Sequence, residues 1–297
     1  MELSRDRFSD WKQIGKGSNG VVFSARDTQL GIDVAIKRVG STRGHVGIWH
    51  EEWLNRIVAG KDEMSALKSL QCKYVPKFYG YWQELNQEDV YGKVDRFGNV
   101  KPLVNYTYIV QGLVEGELLE KIVKRLIRKS VGKAPIPAYI TYVNAQIEYQ
   151  ELVWKILGQV IEATAIFQDR GWSHQDLSTS NIFWIKPGIE ASDAPEEKIE
   201  GKIVIVDFGC ADTLSVCSPD NIVDLIFDLT WLDCYSPGTR GMGGEETYTI
   251  RIAEYLEEGI NLSPIMKDIL MLMIMMLKDH RNDNALLLRL YRELDTQ

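Results

Sequence analysis

The stretch HQDLSTSNIFW, His174 to Trp184, holds the residues whose types and spacing could do chemistry. An Asp that comes just after a His and five residues before an Asn has the spacing of a phosphoryl-transfer loop. Asp176 and Asn181 occupy those two positions. So few matching positions also arise by chance in many chains. The stretch therefore predicts this chemistry only if the other parts of such a site occur in order along the chain.

A glycine-rich segment is a candidate for a second part. Gly15, Gly17 and Gly20 form a GxGxxG pattern, which on its own fits dinucleotide folds and ordinary turns alike. A dinucleotide site needs a helix to open at the third glycine, whereas the apolar residues 21–23 continue as a strand. The segment is therefore predicted to be a strand–turn–strand flap, whose glycines let backbone N–H groups approach phosphates closely.

Two more motifs follow, each at the end of a predicted strand. Residues 34–37 read VAIK and residues 206–209 read VDFG. Together with the flap and HQDLSTSN, this ordered set resembles the protein-kinase superfamily, over roughly Phe8 to Leu232. The resemblance implies an α+β, bilobal, kinase-like fold. It would have a β-rich N-lobe with one main helix over residues 1–113 and an α-rich C-lobe over residues 114–297.

The same resemblance implies ATP and Mg²⁺ as cofactors. Lys37 would hold the non-terminal phosphates, and Asp207 and Asn181 would supply the oxygen ligands that Mg²⁺ prefers. Asp176 would orient the acceptor hydroxyl and receive its proton.

A lysine in this role needs a carboxylate to fix its flexible stem, and the resemblance implies that it comes from the helix after the VAIK strand. Glu63 fits best, because it lies on the predicted helix after the VAIK strand and just before the next strand. Glu51 and Glu52 are the alternatives if that helix is broken at Gly60.

The resemblance also implies a wider set of positions that would contact the nucleotide. These are Ile14, Gly15, Gly17, Gly20, Val22, Ala35, Lys37, Glu63, Val110, Gln111, Leu113, Phe183 and Asp207. Val22 and Ala35 would form the roof over the adenine and Phe183 its floor. Plain core packing would also account for these apolar positions.

The strand that ends near Leu113 would present the adenine edge with backbone groups. Those groups would belong to Gln111 and Leu113, and Val110 would lie at the gate of the back pocket.

The motifs also depart from the usual kinase pattern. Gln175 stands where many regulated kinases carry an Arg that pairs with a phosphorylated activation loop. Ser178 and Ser180 stand where Ser/Thr and tyrosine kinases place their cation. No Ala-Pro-Glu follows residue 209, which predicts a shortened or missing activation segment and an enzyme not switched by loop phosphorylation. In these features the loop is similar to atypical kinases such as the RIO family and the small kinase subunit of the KEOPS complex.

Three functions remain open at this point. The first is an atypical Ser/Thr protein kinase, whose partner would be a protein with a Ser or Thr acceptor. The second is a small-molecule phosphotransferase of the aminoglycoside or choline kinase type, with acidic residues in the inserts binding a cationic substrate. The third is a pseudokinase scaffold, which would have no physical need for all five of Lys37, Glu63, Asp176, Asn181 and Asp207.

Composition and charge limit the kinds of partner that are expected. A content of 45 % hydrophobic residues in 297 supports a packed core, and a net charge of −8 argues against nucleic acid as a partner. The basic run Lys121 to Lys133 is expected to be the solvated face of an amphipathic helix, with a docking patch for an acidic partner or membrane surface as the alternative. The most apolar run, Ile269 to Leu277, is too short to span a bilayer and is expected to be a buried helix.

The cysteines and the N-terminus predict a location. The four cysteines, Cys72, Cys210, Cys217 and Cys234, form no CxxC pair, so neither a zinc site nor a disulfide framework is expected. No apolar signal-peptide segment opens the sequence. A cytoplasmic, reducing setting is therefore expected, or delivery into a host cell if the protein comes from a pathogen, and a monomer is favoured.

Periodicity predicts the elements that must position these residues. A β-meander is expected over residues 8–40, and an inserted hairpin over 93–103. Helices are expected over 49–70, from 117 onward, over 149–168 and two or three times within 249–294. Further strands are expected over 74–82, 106–113, 182–185 and 202–206.

Overall fold

The structure is a computed structural model of the whole chain. The residues it describes are 3–17, 20–40, 59–85, 105–131, 147–186, 201–214, 264–275 and 283–296, together with Ile222, Leu225 and Leu229. They divide into two compact units, Met1–Val114 with Asp207–Ala211, and Glu115–Val206 with Asp212–Gln297. The segment that begins at Asp207 thus packs with the first unit, although it lies in sequence between two parts of the second.

The first unit is built on an antiparallel sheet with strand order β1-β2-β3-β5-β4. Its strands are β1 Phe8–Gly17, β2 Gly20–Asp27, β3 Ile32–Gly40, β4 Phe78–Leu85 and β5 Asn105–Gly112. The predicted meander over residues 8–40 is confirmed. The predicted hairpin over 93–103 lies outside the described residues.

Strand β4 begins four residues later than predicted. Tyr74 and Val75 are buried, which is why the pattern predicts a strand there, but they belong to a turn closed by the Val75 N–H bond to the Cys72 carbonyl. Pro76 follows and has no N–H to donate to a strand ladder. Pairing with β5 therefore starts only at Phe78.

Helix α1, Ala59–Ser69, is the one described α-helix of the first unit. Ala66, Leu67 and Leu70 are completely buried, which fixes the side of this segment that packs against the sheet. Gly60 lies within the helix and does not break the described part. Residues 49–58, where the prediction placed the start of this helix, lie outside the described part of the chain, together with the alternatives Glu51 and Glu52.

The two faces of the first sheet differ. An aromatic stack covers one face, where Trp82 lies parallel to Tyr108 at 4.6 Å between ring centroids and Phe8 stacks on Trp82 at 5.2 Å. Val34 and Ile36 of β3 point into the same cluster. Because side chains alternate along a strand, Ala35 and Lys37 must point to the opposite face.

The second unit is mainly helical. It contains β6 Glu117–Leu118, α2 Leu119–Val131, α3 Ile147–Asp169, β7 Trp172–Ser173, β8 Ile182–Ile185, β9 Lys202–Ile205, β10 Asp212–Thr213, α4 Pro264–Met275 and α5 Asn284–Asp295. Strands β6, β8 and β9 form one small sheet, and β7 pairs with β10. The predicted strand pair at 182–185 and 202–206 is confirmed to within a residue.

Helix α3 forms the centre of the second unit. Ile156, Leu157, Val160 and Ile161 are almost completely buried along it. The Gln159 side chain reaches β9, where its amide nitrogen donates to the Gly201 carbonyl and its oxygen accepts from Ile203 N, both at 2.9 Å. These two bonds fix the strand that leads directly into the VDFG motif.

Helix α4 covers most of the apolar run that was expected to be buried. Ile269 and Leu272 have no exposure, whereas Met271 is 45 % exposed, so the expectation holds for part of the helix. Within the described ranges, no helix is long and apolar enough to cross a membrane.

Candidate active site

Lys37 and Glu63 form a buried ion pair in the first unit. Lys37 Nζ donates to Glu63 Oε1 at 2.8 Å and to Oε2 at 2.9 Å. The two residues are only 4 % and 2 % exposed. The predicted partner of Lys37 is therefore present on α1, and contact with both carboxylate oxygens holds the lysine stem in one position.

Burial and charge oppose each other in this pair. Burial disfavours the charge on Lys37, but the Glu63 and Asp207 carboxylates outweigh it, so the pKa of Lys37 lies above its ordinary value. Burial, with a smaller contribution from Asp207, raises the pKa of Glu63 although Lys37 acts to lower it. Two hydrogen bonds from one ammonium to both carboxylate oxygens are the geometry of an ionised pair, so we assign a charge to each partner.

Asp207 brings a second carboxylate to Lys37. Its Oδ1 accepts a hydrogen bond from Lys37 Nζ, and its side chain is 34 % exposed, unlike that of Glu63. The backbone of Asp207 is left-handed, with φ 62° and ψ 66°, and the next residue, Phe208, is fully buried. An Asp in this rare conformation must be held by its surroundings. Here the buried phenyl ring and the lysine hold it.

Strand register identifies the side chains that share a face with Lys37. Val22 lies opposite Lys37 on β2, and Ala35 lies two residues away on β3, so both are on that face. Across on β5, Ile109 pairs with Lys37 and Gln111 pairs with Ala35.

The register does not agree with the expectation for Val110. This residue pairs with Ile36 and lies in the cluster on the opposite face, so its side chain cannot gate a pocket beside Lys37. The adjacent Gln111, 7 % exposed, occupies that face instead. Leu113 follows the end of β5 and is half-buried.

The glycines of the flap differ in what surrounds them. At Gly20, which has φ +147°, a Cβ atom would lie 2.3 Å from the Arg38 carbonyl oxygen, so the pairing of β2 with β3 requires glycine. At Gly17 the described residues leave open space within 4 Å, and at Gly15 the nearest atom is the Val22 Cβ at an ordinary 3.6 Å. Ile14, in the adjacent bulge of β1, is 50 % exposed. Nothing in the described fold therefore explains the glycines at 15 and 17, and an external group that approaches the backbone would.

The HQDLSTSN loop belongs to the second unit and is fixed by its own polar groups. Asn181 Nδ2 donates to the Asp176 carbonyl at 2.8 Å and to Asp176 Oδ2 at 2.9 Å. Both acceptors are oxygens, so the nitrogen of the amide must face Asp176. That leaves the Asn181 oxygen as the atom able to bind a cation.

His174 is a positioning residue that the motif contains and that the sequence prediction gave no role. It has no exposure, its Nε2 lies 3.0 Å from the Val206 carbonyl, and its Nδ1 lies 3.3 Å from the Asp176 N–H. A carbonyl only accepts and an N–H only donates, so the neutral ring carries its proton on Nε2. The imidazole thereby joins the loop to the end of β9, next to the VDFG motif.

The positions that depart from the kinase pattern bond to one another or to the loop. Gln175 has φ +61°, and its side-chain nitrogen donates to the Ser173 hydroxyl. Ser178 and Ser180 share a hydrogen bond of 2.8 Å between their hydroxyl oxygens. The loop therefore presents neutral hydroxyls at the two positions where Ser/Thr and tyrosine kinases carry a cation.

Phe183 lies on β8, directly after Asn181 and Ile182. Ile182 and Trp184 are buried and Phe183 alternates with them, so its half-buried ring points to the other side of this small sheet. Whether it forms the floor of an adenine site stays a prediction.

The predicted metal ligands are of a type that suits magnesium better than a transition metal. The candidate ligands, the Asp207 carboxylate and the Asn181 amide, are hard oxygen donors. No group of three or more His, Cys, Asp or Glu residues that could hold a metal occurs in the described part of the chain.

Comparisons with known proteins identify the family. A search of curated proteins gives no significant match. The family model for the protein kinase domain matches residues 8–224, well over half of the chain, and its range contains all four motifs and both groups of site residues. This match confirms the predicted α+β, kinase-like fold, although the predicted loss of the activation segment falls on residues after 214 that are not described as a continuous stretch. The chain belongs to the protein kinase domain family.

Proposed function

We propose that the protein is a Mg²⁺- and ATP-dependent Ser/Thr protein kinase of an atypical kind. The observation that carries the proposal is the set of contacts among Lys37, Glu63 and Asp207, in a chain that also holds Asp176 fixed by Asn181. A scaffold would gain nothing from a buried lysine held by two carboxylates, because burying such a charge costs free energy unless it is used.

Lys37 and the flap would hold the phosphates. The ammonium is a compact charge suited to phosphate oxygens, and Glu63 keeps it in place. Asp207 and Asn181 would hold Mg²⁺, which when bound offsets the negative charge of the transferring phosphoryl group. Val22 and Ala35, on the face of Lys37, would cover the adenine, and Gln111 rather than Val110 would contact it from β5.

Asp176 would act on the acceptor. Its carboxylate would accept the proton of the Ser or Thr hydroxyl as that oxygen attacks the terminal phosphorus and the bond from that phosphorus to the bridging oxygen breaks, so that ADP leaves. The Asn181 bond to Oδ2 and the His174 bond to the backbone N–H hold the carboxylate ready for this step.

The neutral pair Ser178 and Ser180 favours a second candidate. A small-molecule kinase of the aminoglycoside or choline kinase type likewise has no lysine two residues after the catalytic Asp. In the structure the two serines bond to each other through their hydroxyls, so this part of the loop offers hydroxyls and not a lysine to the transferring phosphate.

The deciding experiment is transfer of labelled γ-phosphate from Mg·ATP to the protein itself and to a generic protein substrate, followed by phosphoamino-acid analysis. We expect label on Ser or Thr, and none with Asp207→Ala. If wild-type protein labels no protein but releases ADP with an aminoglycoside or choline acceptor, the second candidate replaces the first. If nothing releases ADP, the enzyme proposal fails.

The glycines of the flap give a prediction that separates binding from folding. Gly17→Ala should change the free energy of unfolding by less than about 1 kcal/mol, because the new methyl enters open space. It should raise the Kd for ATP about tenfold, a loss of roughly 1.4 kcal/mol, because the methyl would occupy space needed by a phosphate.

Gly20→Ala should instead destabilise the fold by about 2 kcal/mol or more, since its new methyl meets the Arg38 carbonyl in a strained conformation. Isothermal titration measures the Kd for ATP, and chemical denaturation measures the free energy of unfolding. Equal changes in both quantities for the two variants would contradict the assignment of Gly17 to phosphate binding and of Gly20 to the fold.

We also propose a cytoplasmic location and a monomeric state. Support for the location comes from the sequence, whose four cysteines form no CxxC pair, a usage that fits a reducing compartment.

A further inference from the structure

Helix α2 carries a local excess of positive charge. From Glu117 to Val131 the sequence has five basic residues against two acidic ones, in a chain whose net charge is −8. The helix is amphipathic, with Leu119, Ile122 and Val123 buried. Positions 121, 124, 125 and 128 follow the i, i+3, i+4, i+7 spacing of the opposite helix face.

This basic face is open to solvent where its side chains are described. Lys121, Lys124 and Arg125 are all exposed. Glu120 pairs with Lys124, and Glu117 pairs with Arg125. Exposed pairs of this kind contribute little to stability and exchange readily with other partners, so the excess positive charge remains available.

The helix is attached to the catalytic loop. The N–H of Glu120, in its first turn, donates to the Thr179 carbonyl at 3.0 Å, and Thr179 lies between Asp176 and Asn181 in sequence. Just before the helix, Leu118 of β6 pairs with Phe183 of β8. A polypeptide held on the basic face would therefore begin its path beside the loop that acts on the acceptor.

We propose that the exposed face of α2, defined by Lys121, Lys124 and Arg125, docks an acidic segment of the protein substrate. This inference rests on the proposed function and specifies its substrate class, a Ser or Thr with Asp or Glu residues on one side. Complementary charge at such a rim mainly guides the encounter and fixes its register.

A protein segment suits this face better than a membrane or a nucleic acid. A membrane-binding helix must insert its apolar side into lipid, whereas that side of α2 is buried in its own unit. The overall net charge of −8 would repel both an anionic membrane and a phosphate backbone at longer range. A short acidic segment needs only the local charge.

The test compares two double variants of the full chain that remove the same charge. Lys121→Gln/Lys124→Gln changes the basic face, and Lys155→Gln/Lys267→Gln removes two exposed lysines from α3 and α4 as the matched control. The probes are a fluorescent peptide with one Ser followed by Asp and Glu residues, and the same peptide with Asn and Gln in their place. Anisotropy without ATP measures the Kd, and transfer from Mg·ATP measures kcat and KM.

We expect wild-type protein to bind the acidic peptide more tightly than the neutral one. The α2 variant should raise the Kd and KM for the acidic peptide about fivefold, leave kcat unchanged and lose most of its salt dependence, whereas the control should behave as wild type. Equal affinity for the two peptides, an equal loss in the control, or binding of vesicles with anionic lipid in place of the peptide would overturn the inference. Binding of the acidic peptide without transfer to any peptide would contradict the proposed function but not the docking face. Transfer with no preference for the acidic peptide would contradict the docking face but not the proposed function.

Discussion

Replacing Asp176 by Asn lowers kcat for phosphoryl transfer by about 10²- to 10⁴-fold, the range expected when a positioned general base is removed. The amide cannot take up the proton of the acceptor hydroxyl. The amide can still offer an oxygen to Asn181 Nδ2, which in the wild-type protein donates to Asp176 Oδ2 at 2.9 Å. The hydrogen bond from the backbone N–H of residue 176 to His174 Nδ1 does not involve the substituted side chain. We therefore expect the Kd for ATP and the free energy of unfolding to stay close to wild type.

Asp169→Asn is the matched control for this experiment. It makes the same chemical change at an exposed position at the end of α3 in the same unit. Single-turnover transfer and nucleotide titration on both variants measure the two effects. A rate for Asp176→Asn within tenfold of wild type would show that this carboxylate does not receive the proton.

The parts of the site that could be predicted are those whose chemistry dictates residue type and spacing. Asp176 and Asn181 are close because the loop brings positions five apart into hydrogen-bond contact. The pair between Lys37 and Glu63 is what the family resemblance implies, since a lysine in this role needs a carboxylate to fix its stem. These inferences needed no knowledge of the exact backbone path.

The register of β5 could not be predicted. Its residues 106–111, YTYIVQ, include apolar or aromatic side chains at adjacent positions, so no alternation shows which of them face Lys37. A shift by one residue moves every side chain to the other face, and this is the difference between Val110 and Gln111. Strands β7 and β10, two residues each, are likewise too short to leave a pattern.

Two structural roles depend on contacts between distant residues. His174 connects the loop to Val206, more than thirty residues away, and Gln159 fixes Gly201 and Ile203. The sequence alone shows a His in the loop and a Gln in a predicted helix. Neither residue type indicates which distant group it bonds to. The signal that could have found His174 is its place inside the motif itself.

The largest effect on stability is expected at the buried ion pair. Lys37→Met should lower the free energy of unfolding by about 3 kcal/mol or more at neutral pH, because it leaves the Glu63 carboxylate buried without its cation. It should also abolish transfer, since no ammonium remains to hold the phosphates. Chemical denaturation and the labelled-phosphate assay measure the two losses separately.

The double variant Lys37→Met/Glu63→Met distinguishes the stability role from the catalytic role. Methionine is close in size to both side chains and adapts to irregular packing, so we expect stability within about 1 kcal/mol of wild type once both charges are gone. Asp207 keeps contact with solvent, being 34 % exposed, and does not add a second buried charge. Transfer should remain absent. A double variant as unstable as the single one would mean that packing, and not the unpaired carboxylate, causes the loss.

The pH dependence of Lys37→Met tests the same cause. Burial and the nearby Asp207 raise the pKa of Glu63 above its ordinary 4.5, and removing Lys37 removes the neighbour that lowers it. Between 4.5 and the raised pKa, the folded variant binds a proton that the unfolded chain does not. The stability of the variant relative to wild type should therefore increase as the pH falls through the raised pKa toward 4.5, while the double variant shows no such change. A deficit that is independent of pH would exclude the buried Glu63 charge as its origin.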